Sequence, residues 1–296
     1  MKKHITVLQQ ESVDALGITK SSTIVDATFG SGGHAREIVS HLGTKGTFVG
    51  IDADPEAIAR GKETLHGEPT IHLVENNFRN INSVLDSLHI EKADGILADL
   101  GWRMEQFSGN GKGFSFLVDE PLIMTFGNEG EYLFTAKDII NDWAEGDIAN
   151  VLKGYGEERF AKRIAKAIVA SREKQAIETT FDLVEIIKGS VPSFYRNGKL
   201  HPATRTFQAL RIAVNDEFEA LESFITQSLE KLASRGRLAI ITFHSLEDRI
   251  VKHRFRNYTH DHIGVLVTKK PISAGVEELQ VNPRARSAKL RVFEKI

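Results

Sequence analysis

Apolar residues in the first hundred positions come in short β-branched runs, each followed by a stretch with helical spacing. Thr23-Ile24-Val25-Asp26-Ala27-Thr28 reads as a buried strand, after which Gly30 to Gly33 turn the chain into a helix beginning near His34. Thr47-Phe48-Val49-Gly50-Ile51-Asp52 predicts a second strand. Asp54-Pro55-Glu56 then opens the next helix, with aspartate at the N-cap and proline at the first helical position. Ile71-His72-Leu73-Val74 and Gly95-Ile96-Leu97-Ala98-Asp99 predict a third and a fourth strand. Strands alternating with helices at this spacing argue for an α/β fold built on a parallel, doubly wound sheet.

The pattern then changes. The next convincing strand, Arg237-Leu238-Ala239-Ile240-Ile241-Thr242-Phe243, lies far beyond the reach of one crossover connection. Phe207, Leu210, Val214, Phe218, Leu221, Ile225 and Leu232 follow helical steps and predict one helix leading into it. Between strand four and that helix, Glu157 to Ser171 predicts another helix, with Phe160, Ile164, Ala167 and Ile168 on one face. We therefore expect a Rossmann-like sheet domain over 1–104 and 206–296, interrupted by a helical insertion over 105–205. Val265-Leu266-Val267-Thr268 and Lys289-Leu290-Arg291-Val292-Phe293 are expected to complete the sheet.

Composition narrows the function classes. The chain has 296 residues, of which 41% are hydrophobic and 26% charged, and no cysteine, which removes disulfides and thiolate metal sites. No apolar run approaches the roughly 18 residues of a membrane helix, and Met1-Lys2-Lys3-His4 leads into no signal-peptide core. A cytoplasmic location without membrane contact is the expectation. The formal charge of −2 gives no global reason for nucleic-acid binding, so any such binding must come from local segregation of charge. Three clusters offer it: Arg159 to Lys174, Arg249 to Arg256, and Arg284, Arg286, Lys289 and Arg291. His253, His260 and His262 lack a companion ligand set, and no metal is expected.

Candidate chemistry concentrates at the first strand's carboxyl end. Asp26-Ala27-Thr28-Phe29-Gly30-Ser31-Gly32-Gly33-His34 places glycines where backbone must approach a nucleotide-like ligand. Asp52 ends the second strand, 19 residues after Gly33, positioned to accept hydrogen bonds from two ribose hydroxyls. The loop lacks the G-x-G-x-x-G spacing that seats a pyrophosphate, which favours a ligand without phosphates, such as S-adenosylmethionine. Asn76-Asn77-Phe78 could give adenine an apolar face and a polar edge; ordinary core packing is the alternative for Phe78.

Taken together, these segments resemble the bacterial ribosomal RNA small-subunit methyltransferase H family, also called MraW, whose members methylate a cytosine N4 in 16S ribosomal RNA. The resemblance continues through Ile51-Asp52-Ala53-Asp54-Pro55, Gly113-Phe114-Ser115-Phe116 and Tyr155-Gly156-Glu157-Glu158-Arg159-Phe160. Its most specific runs span His201 to Asn215, Phe243-His244-Ser245-Leu246-Glu247-Asp248-Arg249, and Asn282 to Arg291. It implies a class I S-adenosylmethionine-dependent methyltransferase fold with an inserted helical, substrate-recognising domain. It also implies cofactor contacts from Gly32, Gly33, His34, Asp52, Phe78, Asp99 and Gln106. Two loops depart from the family pattern. Asp99-Leu100-Gly101 leads here to Trp102-Arg103-Met104-Glu105, where a small aliphatic residue, two serines and a proline are usual. Pro121-Leu122-Ile123-Met124-Thr125-Phe126 lacks the family's aspartate and arginine.

A cytosine amine is a poor nucleophile, because its lone pair is delocalised into the ring; a hydrogen-bond acceptor at the amine helps to localise it. Asp99 is the expected catalytic carboxylate, either there or on the cofactor's amino group. Trp102 gives Asp99-Leu100-Gly101-Trp102 a likeness to the Asp-Pro-Pro-Tyr/Trp motif of DNA amino-methyltransferases, whose aromatic ring stacks on an extruded base; simple packing of a remodelled loop is the alternative. Substrate contacts are expected from Trp102, Arg205, His244, Arg284 and Arg286. The expected partner is the small ribosomal subunit or its RNA, bound by a monomer or homodimer. Two other readings stay open: a catalytically impaired RNA-binding assembly factor of the same fold, and a methyltransferase redirected to another substrate.

Overall fold

The computed structural model describes residues 5–100, 111–127 and 129–296. The chain divides into two compact units: Met1–Gly101 together with Phe218–Ile296, and Trp102–Glu217. The first carries a seven-stranded sheet of β1 (Thr23–Asp26), β2 (Thr47–Asp52), β3 (Thr70–Glu75), β4 (Ala93–Asp99), β5 (Leu232–Thr242), β6 (Gly264–Leu266) and β7 (Lys289–Lys295). Their order is β3-β2-β1-β4-β5-β7-β6. The first five run parallel, and β7 is antiparallel to both β5 and β6.

Helices cover both faces, which is why the central strands are apolar at consecutive positions. Val25, Val49, Ile96 and Ile240 point into one core, against helices Ile81–Ser87, Glu217–Lys231 and Ser245–His260. Ile24, Phe48, Leu97 and Ile241 point into the other, against helices Gln9–Leu16, Gly33–His41 and Pro55–Thr64. The cap of the last is the one its sequence requires: Asp54 accepts from Glu56 N–H at 2.9 Å, and Pro55 takes the first helical position.

The second unit is helical, with Ile139, Ile148, Leu152, Ile164, Ile168, Leu183 and Ile187 in its core. Its far boundary follows Glu217, not residue 205. The single helix expected across 207–232 is two helices, Thr204–Asn215 and Glu217–Lys231, separated by Asp216 at φ 50°. Phe207, Leu210 and Val214 join the inserted core, whereas Leu221, Phe224 and Ile225 join the sheet core. Helical spacing continues across the break, so the apolar pattern conceals it. The helix expected from Glu157 likewise begins at Ala161, because Glu157 adopts φ 49° and ends the preceding helix, Glu145–Gly156. Among the described residues, no helix is long and apolar enough to cross a membrane.

Candidate functional site

The strand order reverses between β1 and β4, and in open α/β sheets ligands bind outside the carboxyl ends at such a switch point. The loop leaving β1 is laced to both neighbours: Ala27 N–H donates to Leu97 O and Phe29 N–H to Ile51 O, each at 2.8 Å. Gly32 sits at φ 72°, where a side chain is penalised, and a Cβ there would also lie 3.1 Å from the Phe29 ring. Asp52 fastens this loop at the end of β2. Its Oδ2 accepts from Gly30 N–H at 2.6 Å and its Oδ1 from Asp54 N–H at 2.9 Å. Asp99 ends β4 with its N–H donating to Thr28 Oγ1 at 2.6 Å, tying the fourth strand to the same loop.

A third carboxyl stands between these two. Asp26, at the end of β1, is 1% exposed; its Oδ1 accepts from Thr28 N–H, while Oδ2 is buried without a hydrogen-bond partner among the described residues. Burial pushes its pKa up to about 7, the Thr28 N–H works the other way, and the charges of Asp99 and Asp52 raise it further. The sequence pattern places Asp26 at a strand end and assigns it no role. The available signal was an acid closing an otherwise apolar strand. Three acids around one glycine loop form an anionic crevice. A pyrophosphate would be repelled there, whereas S-adenosylmethionine, positive at its sulfonium and α-amine, would relieve the repulsion and supply the orphaned Oδ2 with a donor. The residues fit that cofactor.

Gly33 and His34 serve a different contact. A Cβ on Gly33 would fall 1.9 Å from Thr6 Oγ1, and Gln9 Nε2 donates to Gly33 O at 2.9 Å. His34 is buried, with Nε2 3.1 Å from Val7 O. Residues 5–9 thus pack against the start of helix Gly33–His41. Leu8 N–H reaches Glu278, and Ile5 O accepts from Asn282 Nδ2, which carries the same segment to the turn Pro283–Ser287. Arg284 and Arg286 lie on that turn and are exposed, flanking Ala285, which is buried in the core.

Phe78 opens a short turn after β3 and is half-buried, edge-on to Phe224 at 5.3 Å between centroids. His244 caps helix Ser245–His260: its Nδ1 accepts from Glu247 N–H at 3.4 Å, and Glu247 reaches back to the His244 N–H. Arg205 belongs to the inserted unit, where its guanidinium donates to Glu157 O at 2.8 Å and satisfies the end of a helix. Trp102 and Gln106 lie outside the described residues.

Many cations of the basic clusters already have partners within the fold. Arg254 pairs with Glu222, and Arg172 donates to the carbonyls of Ile140 and Trp143. Lys289 and Arg291 both bind Asp248, at 3.0 and 2.7 Å. Burial opposes the Asp248 charge, but hydrogen bonds from Arg291 and Lys289 prevail and hold its pKa below the usual carboxylate range. These cations are structural braces, and sequence spacing alone could not show it. Among the described residues, no group of three or more acids and histidines could hold a metal.

A five-strand parallel run closed by an antiparallel β7, with a glycine loop and acids at the switch point, defines a class I S-adenosylmethionine-dependent methyltransferase. Comparison with known proteins narrows the class. The MraW methylase family matches residues 1–296, and the chain belongs to that family. A relative from Clostridium botulinum (strain Loch Maree / Type A3), called ribosomal RNA small subunit methyltransferase H, is 44% identical over 99% of both chains. Proteins of the same name from Lachnospira eligens and Clostridioides difficile are 44% and 42% identical over 99% of this chain, covering 98% and 99% of their own lengths.

Proposed function

We propose that this protein transfers a methyl group from S-adenosylmethionine to the N4 amine of a cytosine in small-subunit (16S) ribosomal RNA. Relatives named for small-subunit ribosomal RNA methylation, alike over essentially the whole chain, carry this reading. The anionic switch point supports it. S-adenosylmethionine supplies an electrophilic methyl on a positively charged sulfur. Asp52 accepts from its ribose hydroxyls, Gly32 gives the backbone close approach, and Phe78 borders the adenine. Asp26 lends a negative charge to the cationic end of the ligand. Asp99 accepts a hydrogen bond from the target amine, localising its lone pair as the new C–N bond forms and the S–C bond breaks; the proton lost from nitrogen leaves through that acceptor. Most of the acceleration comes from alignment of amine and methyl rather than from a strong base. The inserted unit recognises the RNA, and Arg284 and Arg286 hold phosphates.

A second reading, a ribosome-assembly factor with little turnover, is motivated by the altered loops at 102–105 and 123–126. Nucleoside analysis of small-subunit RNA from cells with and without this protein separates the two. The proposal requires an N4-methylated cytidine that disappears with the protein; an identical nucleoside inventory refutes it.

A further inference from the structure

The inserted unit carries an aromatic group that neither its core nor the cofactor crevice explains. Phe194 is 67% exposed, and its ring stands 6.2 Å from that of Phe160, which in turn packs edge-on to Tyr195 at 4.8 Å. The group is fixed from beneath. Glu158, 2% exposed, accepts from Phe160 N–H at 2.8 Å and from the Tyr195 hydroxyl at 2.7 Å. Burial, then the bond to Glu158 and its charge, push the Tyr195 pKa up to about 12, so its hydroxyl remains a donor. Two guanidiniums flank the middle ring of the group, with Arg159 and Arg163 5.9 and 6.0 Å from the Phe160 centroid. Helix Ala161–Arg172 contains no acid, and its Lys162, Arg163 and Lys166 are exposed.

An exposed phenylalanine costs solubility and adds nothing to this core, yet its supports are as well fastened as a core cluster. An exposed ring on a fixed aromatic group with cations beside it suits a ligand that combines a flat apolar surface with negative charge, which is the chemistry of an unpaired nucleotide. A duplex offers phosphates without an exposed base face, and an acidic peptide offers charge without the flat surface. We propose that this patch binds single-stranded RNA, stacking a base on Phe194 while Arg159 and Arg163 hold adjoining phosphates. The inference deepens the ribosomal RNA reading above and rests on it for the identity of the RNA, though not for the patch itself.

The test uses the full chain and fluorescence anisotropy with a short single-stranded RNA, a hairpin duplex of matching composition, and an acidic peptide. Phe194→Ala should weaken single-strand binding roughly tenfold, within the range for loss of one stacked base, and leave duplex binding unchanged. Phe194→Tyr should restore it. The pair Arg159→Gln and Arg163→Gln should reduce the slope of log affinity against log salt by about 1.4, the value for two phosphate contacts on a single strand. The platform is overturned if Phe194→Ala binds single strands as tightly as the parent, loses duplex affinity equally, or changes only peptide binding. Methyl transfer to small ribosomal subunits separates this from the broader reading. Phe194-dependent RNA binding by a protein that transfers no methyl sustains the platform and ends the proposed activity. Normal transfer with Phe194-independent binding does the reverse.

Discussion

Asp26→Asn is the most informative single substitution, because it changes charge and almost nothing else. Asparagine keeps the oxygen that accepts from Thr28 N–H and the volume of the side chain. The native carboxyl has a pKa of about 7 against 3.8 for the ordinary group, so the folded state holds a proton that the unfolded chain has lost. Between those two values the native state binds more protons, and stability falls as pH rises. Below pH 4 both states are protonated, and above pH 7 both are ionised, so the loss is confined to that window. From pH 5 to pH 8 it amounts to about 2–3 kcal/mol at roughly 1.4 kcal/mol per unit. Urea denaturation of the cofactor-free protein at both pH values should show that loss in the parent and none from this position in the variant. Binding of a cationic ligand favours the ionised form. S-adenosylmethionine affinity in the parent should therefore rise up to about tenfold from pH 6 to pH 8, with a flatter profile and weaker binding at pH 8 in the variant. Parallel stability curves for the two proteins would show that Asp26 is already ionised at neutral pH, and the electrostatic account of the crevice would fail.

Asp52→Ala should weaken S-adenosylmethionine binding by about 1.5–3 kcal/mol, as a charged acceptor is lost; calorimetry on the folded variant showing unchanged affinity would remove Asp52 from the site. Arg284→Gln with Arg286→Gln should lower RNA affinity and flatten its salt dependence while cofactor affinity holds; an unaltered slope would return both arginines to the scaffold. Asp248→Asn should destabilise the fold on the order of 3 kcal/mol by leaving Arg291 and Lys289 without their shared anion. The parent should lose stability at this position only as pH falls through the depressed pKa of Asp248; chemical denaturation measures both, and a neutral substitution would mean that solvent already screens the group.

The sheet was legible because its signal is local. Thr47–Asp52 alternates between two buried faces, and Asp54-Pro55 marks the next helix within three residues. The glycine loop and Asp52 were legible for the same reason, as each sits at the end of an apolar run. Long-range contacts left no such trace. Nothing near Gly33 in sequence shows that its missing side chain makes room for Thr6, and Leu8 meets Glu278 across almost the whole chain. The breaks at Glu157 and Asp216 rest on single left-handed residues that interrupt no apolar period. Charge clusters misled most, because Asp248 and Glu222 absorb cations that a linear reading leaves available. His244 shows the same limit, since a histidine at a helix start reads equally as cap or as contact.

The central claim is methyl transfer to one kind of atom, and a single reaction tests it. The purified protein is incubated with S-adenosylmethionine labelled at the transferable methyl and with small ribosomal subunits lacking base methylation, and the RNA is then digested and its nucleosides identified by mass. The account predicts label in a cytidine methylated at N4, at a stoichiometry approaching one per subunit. Label on another nucleoside, or none while cofactor and RNA both bind, would contradict it.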